Sequence, residues 1–163
     1  MKKLSSFNSF FKIKVLFLDF DGVFTDNNVL VDENGFEYVS CSRYDGFGLS
    51  ALKNVGVNPI VLTTETKPLA RVRCKKLNIE CYDALTDKYM FAQNYLKDND
   101  YSFDEVCFLG NDINDLPLLN HTFLPVVTPD SHASVQYDHF YVTCKYGGKG
   151  CVRELADLIV NQH

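Results

Sequence analysis

VLFLDFDGVFTD, residues 15–26, drives the apolar run Val15 to Leu18 straight into Asp19, Asp21 and then Asp26. A run of this kind without polar alternation is the pattern of a strand buried on both faces. Ending it in two carboxylates one residue apart is costly, because like charges repel and desolvating either one is unfavourable. The pattern calls for a positive partner between them. Successive strand residues point to opposite faces, so positions i and i+2 share a side and are expected to address one common group.

Outward from this stretch, short apolar segments alternate with amphipathic ones. Buried strands are predicted over 14–19, 58–63, 79–84, 105–110, 123–127 and 140–143. Helices are predicted from Asp45 to Gly56 and over 67–77 (with Pro68 in the first turn), 88–98, 115–120 and 152–160. The stretch 28–41 alternates around Glu33-Asn34-Gly35 and reads as a hairpin with an Asn-Gly turn. Strand–helix alternation predicts an α/β domain with a mostly parallel sheet and helices on both faces. In such sheets ligands gather at the carboxyl ends of the strands. Asp19, Asp21, Thr63, Thr64, Asn111, Asp112 and Asp115 all fall just past strand ends, and Lys88 opens a helix facing the same edge.

An edge of carboxylates, a hydroxyl and an ammonium is a hard-oxygen site suited to Mg²⁺, which takes few protein ligands and keeps several waters. The cation lets Asp19 and Asp21 stay ionised side by side. The same parts hold a phosphoryl group, whose transfer depends on positioning and charge neutralisation. An Asp can also attack phosphorus and form an aspartyl-phosphate.

Composition narrows the partners. The chain has 163 residues, 46% of them hydrophobic, enough for one sizeable core. A formal net charge of −5 and a pI near 5.3 argue against nucleic acid and anionic membranes. No apolar run reaches membrane-spanning length. Residues 1–12 read as a loose leader rather than a signal peptide, followed by one domain over 13–163. The six cysteines show no C-x-x-C pair and no zinc-like spacing, and read as reduced core residues. A cytoplasmic location is the expectation.

"DFDGVFTD", the Thr of "VLTTE", Lys88 and "GNDINDLPLL" resemble, in order, the four motifs of the haloacid-dehalogenase-like (HAD) phosphatases. The flap region 24–42, "RYDGFGLSALKNVGV" and "GGKGCVREL" resemble one branch of them. That branch is the cap-less phosphatases acting on 3-deoxy-octulosonate 8-phosphate and nonulosonate (sialic-acid-type) 9-phosphates. The resemblance spans roughly residues 13 to 160. It implies a Rossmann-like fold with a hairpin flap and no cap domain. It further implies Asp19 as nucleophile and Mg²⁺ ligand, and Asp21 as general acid/base with its backbone carbonyl on the metal. Thr63 and Lys88 would hold the phosphoryl oxygens, and Asp115 would orient the fourth-motif loop. Asn111 stands where the family has Asp as third ligand, so either Asn111 coordinates through its amide oxygen or Asp112 takes over. Thr64 stands in place of a usual Gly, and Val39 in place of a frequent flap Lys.

Glu65 follows the second motif where nonulosonate-type members carry Glu and octulosonate members Arg. Arg73 and Lys76 match the basic residues accompanying that Glu, placed to take the sugar-acid carboxylate. The resemblance also implies a homo-oligomer, commonly a tetramer, whose leaving-group pocket a neighbouring subunit completes and to which Ser42, Arg43, Asp45 and Gly46 contribute. Arg71 and Lys75 read equally well as a solvated helix face, and "GGKG" (147–150) as a turn before the last helix. The four histidines show no partner pattern.

The expected activity is therefore Mg²⁺-dependent hydrolysis of a sugar-acid phosphate, a nonulosonate 9-phosphate before an octulosonate 8-phosphate. The competing reading is a catalytically weakened module that assembles with or regulates a sugar-acid cytidylyltransferase. A phospho-receiver domain ranks last, because its acceptor Asp lies on a later strand and "NPIVLTTE" holds no Asp.

Overall fold

A computed structural model of the chain describes residues 12–163, so the expected leader lies, Lys12 apart, outside the described residues. The chain runs β1 (Val15–Leu18), β2 (Leu30–Val31), β3 (Glu37–Tyr38), α1 (Tyr44–Asn54), β4 (Asn58–Leu62), α2 (Leu69–Leu77), β5 (Glu80–Tyr82) and α3 (Lys88–Asp98). It continues through β6 (Val106–Gly110), α4 (Leu116–Leu119), β7 (Leu124–Val127), β8 (Tyr141–Val142) and α5 (Cys151–Val160). Six strands form a sheet in the order β5-β4-β1-β6-β7-β8, parallel throughout.

The apolar run of β1 is explained by its central place, with β4 on one side and β6 on the other. Leu16 and Leu18 face the layer of α1, α2 and α5, packing with Leu49, Leu52, Cys74, Leu155 and Ile159. Val15 and Phe17 face the layer of α3 and α4, packing with Ala92, Leu96, Leu118 and Leu119. Every residue of β1 is therefore buried, and truncating Phe17 to Ala would cost about 3–5 kcal/mol. The chain winds outward from β1 to β4 and β5, then returns to β6 on β1's other side. That reversal opens the crevice where ligands bind in open parallel sheets.

Local chemistry sets most boundaries. Asp87 caps α3 by accepting a bond from Met90 N at 3.0 Å. Asn78 ends α2 in the left-handed region, with φ 54°. Helix α2 begins at Leu69, with Pro68 as its cap rather than inside its first turn. The β1–α1 connection carries only the two-stranded hairpin β2–β3. Its reversal differs from the predicted Asn-Gly turn. Asp32 Oδ1 accepts from both Asn34 N and Phe36 N, Asp32 O accepts from Gly35 N, and Gly35 alone takes positive φ, at 80°. A short acid thus staples a wider loop, where a type I′ turn needs two successive positive-φ residues.

Among the described residues all six cysteines are free. Cys74, Cys107 and Cys151 are buried, and only Cys144 is exposed. No described helix is long and apolar enough to cross a membrane.

Candidate active site

Asp19 follows the last residue of β1 and keeps the strand's pairing for one more step, its N–H donating to Leu109 O at 2.9 Å. Only 6% of it is exposed. Its Oδ1 takes both Phe20 N–H at 2.7 Å and Lys88 Nζ at 2.7 Å. No described residue hydrogen-bonds Oδ2. Lys88, first residue of α3 and 2% exposed, also donates to Asp115 Oδ1 at 2.6 Å. Asp115 is fully buried, and its Oδ2 accepts from Asn111 N at 2.8 Å and Asp112 N at 3.2 Å. One ammonium is thus shared by the ends of β1 and β6.

Charge balance at this edge is unfavourable without a further cation. Burial, then the charge of Asp115, push Asp19 up to about 7, against the pull of Lys88. Burial opposes the charge of Lys88, but Asp19 and then Asp115 outweigh it and hold Lys88 above its usual range. Asp21 is raised, first by burial and next by the charge of Glu65. Asp19 and Asp115 pair with the one ammonium of Lys88, and Asp21 lies between its charge and that of Glu65.

Asp21 reaches this edge by a different route from the predicted one. Strand β1 stops at Leu18, and Val23, Phe24 and Thr25 N–H groups all point back to Phe20 O. Asp21 therefore sits in a tight turn, and strand alternation does not orient it. Thr25 does, its hydroxyl donating to Asp21 Oδ1 at 3.4 Å while accepting from Gly22 N at 3.1 Å. Sequence reasoning passed over Thr25. Its place four residues after Asp21, in a helix-like turn, is the signal that could have found it.

The fourth-motif residues separate clearly. Asn111 is 6% exposed and lies against Gly22: a methyl group on Gly22 would come within 1.7 Å of Asn111 Nδ2. Gly22, at φ 76°, leaves room for that amide beside Asp21. Asp112 instead turns into its own short helical turn, its Oδ1 accepting from Ile113 N at 2.7 Å. Of the two expected candidates for third ligand, the structure brings Asn111 to the crevice and uses Asp112 as a cap.

Thr63 follows β4 and is almost fully buried, its Oγ1 accepting from Glu65 N at 3.1 Å. Thr64 is exposed. Glu65 folds over its own loop, Oε1 accepting from Thr66 N at 2.7 Å and Lys67 N at 2.9 Å, and these bonds hold its carboxyl below the usual range. Lys67 in turn pairs with Glu37 of the flap. Arg73 donates from Nη2 to Ser42 O at 2.9 Å, while its Nε is buried without a partner. Arg73 and Lys76 edge a cavity of about 370 Å³ whose apolar walls include Phe20, Val39, Cys41 and Val72.

Three of the expected leaving-group residues lie elsewhere. Asp45 is fully buried between α1 and α5, its Oδ1 accepting from Arg153 N at 3.2 Å in the first turn of α5. Burial pushes it up to about 6, against the pull of that N–H and of Arg73. It is a core residue beneath Arg73, not a wall of the crevice. Gly46 packs on α2, where a methyl group would meet Leu77 Cδ2 at 3.0 Å. Arg43 is an exposed helix cap with no hydrogen-bonding partner among the described residues. Arg71 pairs with Asp83 on the surface, in line with the solvated-face reading.

The donor set fits a Mg²⁺-type cation. No three Asp, Glu, His or Cys side chains among the described residues converge closely enough to hold a metal unaided. Two carboxylates, an amide oxygen and a backbone carbonyl, all hard oxygen donors, suit an ion that fills its shell with water and phosphate oxygens.

No family model matches the chain. A putative HAD family hydrolase from Streptomyces avermitilis is 34% identical, with TM-score 0.89 over 95% of this chain and 89% of that one. A 3-deoxy-D-manno-octulosonate 8-phosphate phosphatase from Salmonella typhi is 29% identical over 91% of this chain and 79% of its own length. The cobalt-bound form of a deoxy-D-mannose-octulosonate 8-phosphate phosphatase from Haemophilus influenzae is 27% identical, with TM-score 0.87 over 94% of this chain and 90% of that one. The chain belongs to the haloacid-dehalogenase-like superfamily of hydrolases, in its cap-less phosphatase branch, and is by class a phosphoric monoester hydrolase.

Proposed function

We propose that this enzyme is a Mg²⁺-dependent phosphatase that releases phosphate from a phosphorylated sugar acid through an aspartyl-phosphate on Asp19. The observation that carries the reading is the split role of the Asp19 carboxylate. Oδ1 is held by Lys88 and Phe20 N–H, which fixes the group and leaves Oδ2 open to the crevice. An oriented carboxylate with one oxygen free is what in-line attack on phosphorus requires.

Asp19 attacks phosphorus, the bond to the sugar-acid oxygen breaks, and Asp21, protonated, donates its proton to that oxygen. Asp21 then removes a proton from water, which attacks phosphorus and frees Asp19. Burial and Glu65 raise Asp21, which favours the protonated form that the first step needs. Thr63 and Lys88 hold the phosphoryl oxygens, and Asp115 keeps Lys88 and the Asn111 loop in place. A Mg²⁺ ion held by Asp19, Asp21 and Asn111 would neutralise charge on the transferring group. The cobalt-bound relative supports a divalent cation here.

Glu65 beside Asp21, with Arg73 and Lys76 on α2, favours a nonulosonate 9-phosphate. The octulosonate 8-phosphate named for the Salmonella relative is the second reading. The intact Asp19–Lys88–Asp115 network speaks for an active enzyme over a weakened regulatory module.

Phosphate release from both sugar-acid phosphates and from p-nitrophenyl phosphate tests this. Turnover should require Mg²⁺ and vanish with EDTA and in Asp19→Asn. Glu65→Arg should shift preference towards the octulosonate. A wild-type protein that releases phosphate from none of the three sinks the reading.

A further inference from the structure

The loop before α5, Gly147-Gly148-Lys149-Gly150, does more than end one segment and start the next. It lies directly on the turn that carries Asp21. A methyl group on Gly147 would come within 2.2 Å of Gly22 O and 2.9 Å of Thr25 O. One on Gly148 would lie 2.7 Å from Asp26 N and 2.8 Å from Thr25 C. Gly148 N–H donates to Val23 O at 2.9 Å, and the Cys151 thiol donates to the same oxygen at 3.2 Å. Gly147 N–H donates in turn to Asp130 Oδ1 at 3.2 Å, and Lys149 Nζ reaches Asp26 Oδ2 at 3.4 Å. The far side of the same turn is closed by Asn111 against Gly22. The turn 20–26 is therefore clamped between the end of β6 and the start of α5.

We infer that Gly147 and Gly148 are positioning residues that set the direction of Asp21 by pressing on the backbone of Gly22 and Thr25. The path is short. Gly147 backs Gly22 O and Thr25 O, and the Thr25 hydroxyl holds both Gly22 N and Asp21 Oδ1. Displacing either backbone group swings the Asp21 carboxyl, whereas Asp19 is held independently by Leu109 O, Phe20 N and Lys88. The inference rests on the reading of Asp21 as the acid that protonates the leaving group.

Three glycines of one loop separate the possible causes. Gly147 has no positive φ and close neighbours, Gly148 has both, and Gly150 has φ 97° with nothing within 4 Å of an added methyl group. A misdirected Asp21 harms a substrate with a basic leaving oxygen far more than one whose leaving group departs unprotonated. General acid assistance is worth roughly 100-fold or more.

Gly147→Ala should therefore lower kcat on the sugar-acid phosphate by about 100-fold and on p-nitrophenyl phosphate only severalfold. Inhibition by inorganic phosphate should stay unchanged. Gly150→Ala should lower Tm and leave both kcat values alone. If Gly147→Ala does not fold, Asp130→Ala, which frees Gly147 N–H, should show the same substrate-selective loss at smaller size. Equal loss on both substrates, or none, in the variant that folds overturns the inference. Asp21→Asn separates the two layers: without a leaving-group-selective loss there, the reading of Asp21 itself fails.

Discussion

Asn111 lies on Gly22 with its amide beside Asp21, where it contributes a dipole in place of a full negative charge. Ligand charge count tunes divalent-cation affinity. Asn111→Asp should lower the Mg²⁺ concentration for half-maximal phosphate release by roughly tenfold. An unchanged Mg²⁺ titration would place the third ligand elsewhere. Asp45 makes a second prediction, about pH. Burial raises it from 3.8 to about 6, so the stability that it contributes is fully present below the unfolded value and lost as pH climbs through the folded one. The loss amounts to roughly 3 kcal/mol at most. Asp45→Asn removes this titration. The Tm of the variant should therefore rise relative to wild type between pH 4 and pH 7, and a constant difference across that range would show that Asp45 does not titrate in the fold. Asp19, Asp21 and Thr63 were legible because they fall just past predicted strands, and Lys88 because it opens a predicted helix at the same edge. Their partners were not legible, because a bond such as Lys88 to Asp115 joins segments 27 positions apart.

Among the elements, α3 shows how a cap serves chemistry. Asp87 satisfies Met90 N–H, and the next residue is Lys88, so the cap fixes the backbone from which the shared ammonium extends. Asp87→Ala should cost about 1 kcal/mol of stability by urea titration. It should also lower kcat severalfold, with both losses restored in Asp87→Ser. A kcat indifferent to the cap would mean that packing alone seats Lys88. The extent of α3 was readable to the residue, since its cap and its apolar face agree. The hairpin was readable only as a hairpin. Whether its turn uses Asn34-Gly35 or the Asp32 staple depends on which acceptor the loop N–H groups find. Helix α2 started later than expected because Pro68 served as its cap.

At the level of the whole molecule, the flap presents Leu30, Val31, Phe36 and Tyr38 at 73%, 64%, 63% and 55% exposure, and the start of α1 presents Tyr44 and Phe47, both at 69%. Large exposed apolar side chains favour an interface. We propose that they pack against a second copy, the homo-oligomer that the family resemblance implies. Light scattering should find an assembly larger than a monomer, and Leu30→Glu with Phe36→Glu should dissociate it. Activity on the sugar-acid phosphate should fall more than on p-nitrophenyl phosphate, because a neighbouring subunit is expected to complete the leaving-group pocket. A monomeric wild-type protein would refute this.

The sequence by itself determined the parallel α/β architecture and the edge on which Asp19, Asp21, Thr63 and Lys88 gather. Both follow from local apolar periodicity and from the ends of strands, which the chain encodes within a few residues; the roles of nucleophile and acid are what the family resemblance implies. Tertiary structure alone decided that Asp45 is a core carboxylate of α1 bonded by α5, that Asp112 caps its own turn while Asn111 faces Gly22, and that Gly147 braces the turn of Asp21. The physical reason is one of range. Burial and helix periodicity are properties of neighbouring residues, whereas the partner of a carboxylate oxygen, or the clearance beside a glycine, is set by whichever distant backbone the fold brings against it.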